Sequence, residues 1–259
     1  MVKIFRWVCL FFFVCTLTGC FDWIRVYQTY RQMHEFDQHF AITVTDEFSL
    51  SFKHPILYSD DFISLSKLQP STIVALQSGE RWRYWFRKVD ESGQVIKPEI
   101  KFYFDLNFNK EKRLTRWAFS SLFLQIAPAE FLEISVRSIG TAEINTEKRQ
   151  MRANMDLIEK LTTELPLKQQ VLKKLGEPIA IKTKKRKNQE VYRYHFQLET
   201  HDIKEGYEDR ALSVVKLTFD KHSDKLIKMA GRFVGLKVSI DYRKYLIDKA
   251  PHLAKVIEK

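Results

Sequence analysis

A run of alternating apolar and polar residues occurs twice in this chain. Arg83-Tyr84-Trp85-Phe86 recurs as Arg193-Tyr194-His195-Phe196, 110 residues later, and residues 104–110 recur in type at 215–221. A period of two residues is typical of an antiparallel strand that has one buried and one solvated face. The pattern therefore predicts a duplicated antiparallel meander, and two unrelated meanders of similar sequence are the alternative.

We predict an α+β fold of two related units, each an antiparallel sheet of three or more strands packed with helices. The 259 residues divide into a signal segment 1–19, a first unit 20–140 and a second, basic unit 141–259. Strands are expected at 41–44, 48–52, 82–87, 99–108, 114–123, 191–198, 211–219 and 226–238. Helices are expected at 23–40, 128–139, 147–161, 166–175 and 239–250, with an aromatic stripe on the first.

The composition excludes several broad classes of protein. Aromatic residues make up 14% of the chain and glycine occurs only 8 times, which excludes a disordered chain and a collagen-like chain. The mean hydropathy of −0.30 excludes a membrane protein with many spanning helices. A folded, basic chain with a sizeable core remains.

The N-terminal residues have the features of a secretory signal. Lys3 and Arg6 precede an apolar run at 7–16, which is too short to span a bilayer. The run ends in Leu17-Thr18-Gly19-Cys20, which resembles the lipobox of bacterial lipoproteins. A plain signal peptide or an N-terminal membrane anchor is the alternative.

The lipobox resemblance implies that residues 1–19 are removed and that Cys20 carries a lipid. It also implies the periplasmic face of the outer membrane, because Phe21 rather than aspartate follows the cysteine. The other cysteines, Cys9 and Cys15, lie in the segment to be removed. The mature chain is therefore predicted to have neither an internal disulfide nor a cysteine-ligated metal, and no cofactor is expected.

Positive charge is concentrated in the second unit. Residues 20–140 contain 15 basic and 15 acidic residues, whereas residues 141–259 contain 26 and 17. The densest cluster comprises Lys182, Lys184, Lys185, Arg186 and Lys187. In a periplasmic chain nucleic acid is not an expected partner, so the cluster predicts contact with anionic lipid or an acidic protein. A solvated loop is the alternative.

Part of the second unit resembles a known lipoprotein family. Val171-Leu172-Lys173-Lys174-Leu175-Gly176-Glu177-Pro178, a basic loop and a strand with Tyr192, Tyr194 and Phe196 are similar to the SmpA/OmlA (BamE-like) outer-membrane assembly lipoproteins. The resemblance covers about residues 145–238 and implies a helix paired with a three-stranded antiparallel sheet. It also implies a role in envelope assembly, and no contact residue of the family is carried over.

The sequence offers no catalytic motif. The glycine positions exclude a Rossmann fingerprint and a P-loop, and no two histidines have the i, i+4 spacing of a helical zinc site. We therefore predict a non-enzymatic, membrane-anchored lipoprotein that binds envelope proteins. The alternatives are a lipid or lipopolysaccharide handler and a periplasmic hydrolase with a scattered site.

Overall fold

The computed structural model describes residues 24–145, 150–200, 202–234 and 236–247. The signal segment, Cys20, Trp23 and the end of the predicted C-terminal helix lie outside these residues. The helices are α1 at 24–32, α2 Phe36–His39, α3 Ser59–Ser66, α4 Ala129–Arg137 and α5 Lys168–Leu175. The strands are β1 Phe40–Val44, β2 Phe48–Phe52, β3 Thr72–Leu76, β4 Gly79–Val89, β5 Lys101–Asn109, β6 Leu114–Phe119, β7 Glu143–Asn145, β8 Gln150–Arg152, β9 Ala180–Lys184, β10 Gln189–Leu198, β11 Leu212–Asp220, β12 Leu226–Phe233 and β13 Leu236–Asp241.

Eleven of these strands form one antiparallel sheet, so the predicted fold class is wrong. The sheet order is β1-β2-β6-β5-β4-β10-β11-β12-β13, with β3 beside β4 and β9 beside β10. The chain is mostly this large curled sheet rather than two units of three-stranded sheets packed with helices. A separate two-stranded ribbon, β7-β8, lies outside it.

The junction between β4 and β10 explains why the halves share a sheet. Strand β3 pairs with residues 79–83 of β4, and β9 pairs with residues 189–193 of β10. The remaining ends of the two long strands pair with each other, from Phe86↔Leu198 to Val89↔His195. This pairing satisfies backbone groups that two separate sheets would leave open at their edges.

The same helix-to-hairpin contact occurs on both sides of this junction. The N–H of Ser59 at the start of α3 donates to the carbonyl of Lys112 at 3.0 Å, and the N–H of Lys168 at the start of α5 donates to the carbonyl of Asp224 at 2.8 Å. Lys112 lies in the turn between β5 and β6, and Asp224 lies in the turn between β11 and β12. Both residues have positive φ, at 62° and 54°. Helix α3 is thereby fixed against the hairpin β5-β6, and helix α5 against the hairpin β11-β12.

One apolar cluster covers one face of the sheet. It joins side chains of β4, β5, β10 and β11 to Phe131 of α4 and to Val171 and Leu175 of α5. Six phenylalanine rings contact one another at its centre: Phe86, Phe102, Phe104, Phe123, Phe196 and Phe233. Rings of this size supply much of the burial that stabilises the fold.

The predicted N-terminal stripe packs partly as expected. Met33, Phe36 and Phe40 are buried in the core, whereas Tyr27 is 58% exposed. The carbonyl of Met33 lies so close to Gly140 that a Cβ there would be 2.1 Å from its oxygen. This close approach requires glycine at position 140 and joins the N-terminal helices to the end of α4.

Two other helix predictions are wrong where the structure describes them. The predicted helix 239–250 is strand β13 up to Asp241, followed by a 3-10 turn at Tyr242–Tyr245. The predicted helix 147–161 contains β8 and a 3-10 turn at Met155–Leu157. The predicted strand 226–238 is two strands, because the chain turns at Val234 with a φ of 49°.

Candidate binding surfaces

The sheet has a covered face and an open face, which alternate along each strand. On β10, Tyr192, Tyr194 and Phe196 are buried, whereas Arg193 and His195 between them are partly exposed. The helices α3, α4 and α5 contribute to the core on the covered side. Functional side chains on the sheet are therefore expected on its open face and along its unpaired edges.

In the first half, the charges of the open face are paired with one another. Arg83 donates to Asp105 at 2.7 and 2.6 Å, and its guanidinium lies 3.8 Å from the ring centroid of Tyr103. Hydrogen bonding to Asp105 raises the pKa of Arg83. Arg87 likewise bonds Glu199 and Glu99. This part of the face is internally neutralised and offers little free charge to a partner.

In the second half, the open face carries five lysines that form no ion pair with any acid of the described residues. They are Lys182, Lys184, Lys216, Lys228 and Lys237, here called the basic face. Four of them are exposed, and Lys228 is half-buried. The two arginines of the same region are paired, Arg193 with Glu91 at 3.2 Å and Arg232 with Asp209 at 2.8 Å.

The predicted basic cluster overlaps this face and extends beyond it. Lys182 and Lys184 lie on β9, and Lys185, Arg186 and Lys187 form the exposed 3-10 turn that connects β9 to β10. The sequence prediction missed Lys216, Lys228 and Lys237. Their only sequence signal is their outward position in alternating strands, and the strand register was needed to place them beside the predicted cluster.

Strand β3 is an open apolar edge. All five of its residues are exposed, with Ile73 at 57%, Val74 at 40% and Leu76 at 37%. Within the described residues it pairs with β4 alone, so its other edge has free backbone donors and acceptors. It contains no charged residue, which is the usual protection of an edge strand against pairing with other chains.

Lys88 is the most unusual ionisable group of the covered face. It is 2% exposed, and its Nζ donates to the carbonyls of Leu175 at 2.7 Å and Glu177 at 2.6 Å. Burial lowers the pKa of Lys88. Because it binds the carbonyl of the last residue of α5 and a carbonyl two residues beyond it, Lys88 acts as a structural cap that ties β4 to that helix.

The remaining ionisable groups do not assemble a recognisable site. The Nδ1 atoms of His39 and His54 lie 3.2 Å apart, and the Nε2 of His39 is 3.7 Å from Glu35. Burial, together with the nearby Arg193, lowers the pKa of His195. Across the described ranges, no three His, Cys, Asp or Glu side chains are placed to hold a metal ion. The absence of enzymatic activity stays a prediction.

Comparisons with known proteins give no further assignment. The chain matches no family model, no curated protein and no solved structure. The resemblance to the SmpA/OmlA lipoproteins therefore stays a prediction from the motif around Gly176. Within the part of the chain that the structure describes, no helix is both long and apolar enough to cross a membrane.

Proposed function

We propose that this chain is a non-enzymatic, lipid-anchored protein of the periplasmic face of the outer membrane that binds a protein partner in envelope assembly. The anchor is Cys20, and the binding element is the open edge of β3. The lipobox and the preceding apolar run support the location. The exposed, uncharged edge strand is the observation that carries the binding role.

The chemistry of β3 suits the addition of a partner's strand. Its free edge offers main-chain hydrogen bonds, and its side chains alternate between the two faces of the sheet, with Ile73 opposite Trp82 and Val74 opposite Arg81. An exposed apolar edge promotes aggregation unless something covers it. A partner strand would cover this edge and exclude water from Ile73 and Val74.

The alternative function, a lipid or lipopolysaccharide handler, has less support because the space between the sheet and the helices is filled. That function needs an apolar groove between the sheet and the helices, and the Phe86, Phe102, Phe104 and Phe233 rings occupy this space with centroids 5.1–6.1 Å apart. The basic cluster at 182–187 supports contact with lipid headgroups but not the enclosure of acyl chains.

A matched pair of variants tests the role of the edge. Val74→Lys places a charge on the open strand, and Ile181→Lys places the same charge on β9, where Ile181 is 53% exposed. A photo-reactive amino acid at position 75 reports the contact in intact cells. We expect a discrete adduct that Val74→Lys abolishes and Ile181→Lys retains, because a lysine on the edge disfavours strand addition.

Two results would contradict the proposal. An adduct that is equally strong in both variants would exclude β3 as the binding element. Fractionation of Cys20→Ala with the outer membrane, as for the unaltered chain, would exclude the lipid anchor. Both lysine variants replace exposed residues, so thermal unfolding is expected to match that of the unaltered chain.

A further inference from the structure

The strand register places the five lysines of the basic face in neighbouring rows. One row runs Lys182, Val191, Thr218 and Lys228 across β9, β10, β11 and β12. The next row places Lys216 of β11 between Arg193 of β10 and Ala230 of β12. Residues at cross-strand positions lie about 5 Å apart, so these cations share one continuous surface.

The acids at the margins of the basic face are already engaged. Asp220 accepts hydrogen bonds from the N–H groups of His222 and Ser223 in its own turn, at 3.1 and 2.9 Å. Asp241 of β13 lies directly opposite Lys228 of β12 and pairs with Arg243 at 3.1 Å. The positive charge of the five lysines is therefore left for a partner outside the described chain.

We infer that the basic face, together with the 185–187 turn, binds the phosphate headgroups of an anionic membrane surface. Lysine ammonium groups spread over several strands suit many shallow headgroup contacts, whereas a defined acidic peptide is usually matched by arginine forks. The two arginines on the strands of this face, Arg193 and Arg232, are instead held by acids of the chain itself. The inference rests on the proposed function only in placing the chain at a membrane.

Vesicle sedimentation tests the inference with the full chain. Vesicles of phosphatidylcholine alone are compared with vesicles that also contain phosphatidylglycerol, for the unaltered chain and for Lys216→Gln/Lys228→Gln/Lys237→Gln. Each lysine near an anionic surface multiplies partitioning by roughly fivefold, so the triple variant is expected to bind anionic vesicles about a hundredfold more weakly. Binding to the neutral vesicles is expected to be unchanged.

A variant of equal charge provides the control. Lys110, Lys173 and Lys174 are exposed, lie away from the basic face and form no ion pair among the described residues, so their change to glutamine removes the same net charge. We expect this control to lose less than about tenfold, since screening limits charge effects to roughly 10 Å.

Three results would overturn the inference. They are an equal loss in both triple variants, binding to anionic vesicles that added salt does not weaken, and an unaltered chain with no preference for anionic vesicles. In the last case an acidic protein becomes the occupant to be tested. None of these results depends on the β3 adduct, so the proposed function and this inference can fail separately.

Discussion

Removal of the Lys88 ammonium group should destabilise the fold substantially. The change Lys88→Met keeps the apolar stem of the side chain but leaves the carbonyls of Leu175 and Glu177 without their donor. A buried acceptor that loses its hydrogen bond costs about 1–3 kcal/mol, and the energy recovered by not burying a charge offsets part of this cost. We expect a net loss of about 2 kcal/mol in the free energy of unfolding.

Urea denaturation followed by tryptophan fluorescence measures this loss. Lys216→Met is the control, because it makes the same change on the open face of the sheet, where the lysine is exposed. A surface change of this kind is expected to stay within about 0.5 kcal/mol. If Lys88→Met were as stable as this control, the carbonyls of α5 would have adequate partners without Lys88, and the reasoning would be wrong.

The pH dependence provides a second check on Lys88. Its pKa in the folded chain lies below the ordinary value of 10.5 because of burial. Between the two pKa values the unfolded chain binds more protons at this lysine, so the contribution of Lys88 to the stability of the unaltered chain should rise with pH in that window. Lys88→Met should lack this rise, and the stability difference between the two chains should therefore widen at alkaline pH. A difference that narrows there would contradict the assignment.

Two further substitutions and one pH titration test other contacts. Asp61→Asn should cost about 2 kcal/mol and expose α1 to limited proteolysis, because fully buried Asp61 accepts hydrogen bonds from Arg25 Nε at 2.9 and 3.1 Å. Gly140→Ala should lower stability by about 2 kcal/mol in a denaturant titration, since its Cβ would meet the Met33 carbonyl at 2.1 Å. Backbone N–H groups of the following turn lower the pKa of Asp220. Its contribution to stability should persist in mildly acidic solution and be lost as the pH falls through that lowered pKa, which an NMR titration can follow.

Local patterns located the long strands, missed the short strands β3, β7, β8 and β9, and predicted the strand partners poorly. Alternation located β4, β5, β10 and β11, because a half-buried strand must alternate whatever its neighbour is. It could not show that β4 continues beyond the end of β3 and pairs there with β10. That pairing depends on how much edge the short strands leave free, which is a property of the assembled sheet.

The helix error at the C-terminal end has a similar origin. Tyr242 and Tyr245 are three residues apart, a spacing that suits one face of the α-helix expected at 239–250. A 3-10 turn places residues i and i+3 on the same side as well. Both tyrosines are buried, so the apolar spacing was real. The pairing of β13 with β12 decided the backbone conformation before them.

The basic face shows why a charge cluster in sequence can be incomplete. Lysines at outward positions of separate strands are the usual solvated pattern, and Lys216 and Lys228 have no neighbouring cations in sequence to mark them. Only the register brings them beside Lys182 across β10 and β11. A surface that recognises anions on a sheet is therefore distributed in sequence, whereas one on a loop is contiguous.

The motif around Gly176 carries structural information that the sequence alone could not reveal. Gly176 has a φ of 63° and ends α5, and a Cβ at this position would lie 3.2 Å from the Nζ of Lys88. The hydroxyl of Tyr194 also donates to the carbonyl of Gly176, at 3.2 Å. The glycine therefore ends the helix and leaves room for a lysine from the other half of the chain. A chain that keeps the motif but lacks a cation at the end of β4 would need another donor for the carbonyls of Leu175 and Glu177. Lys88→Met therefore tests what the motif does in this fold.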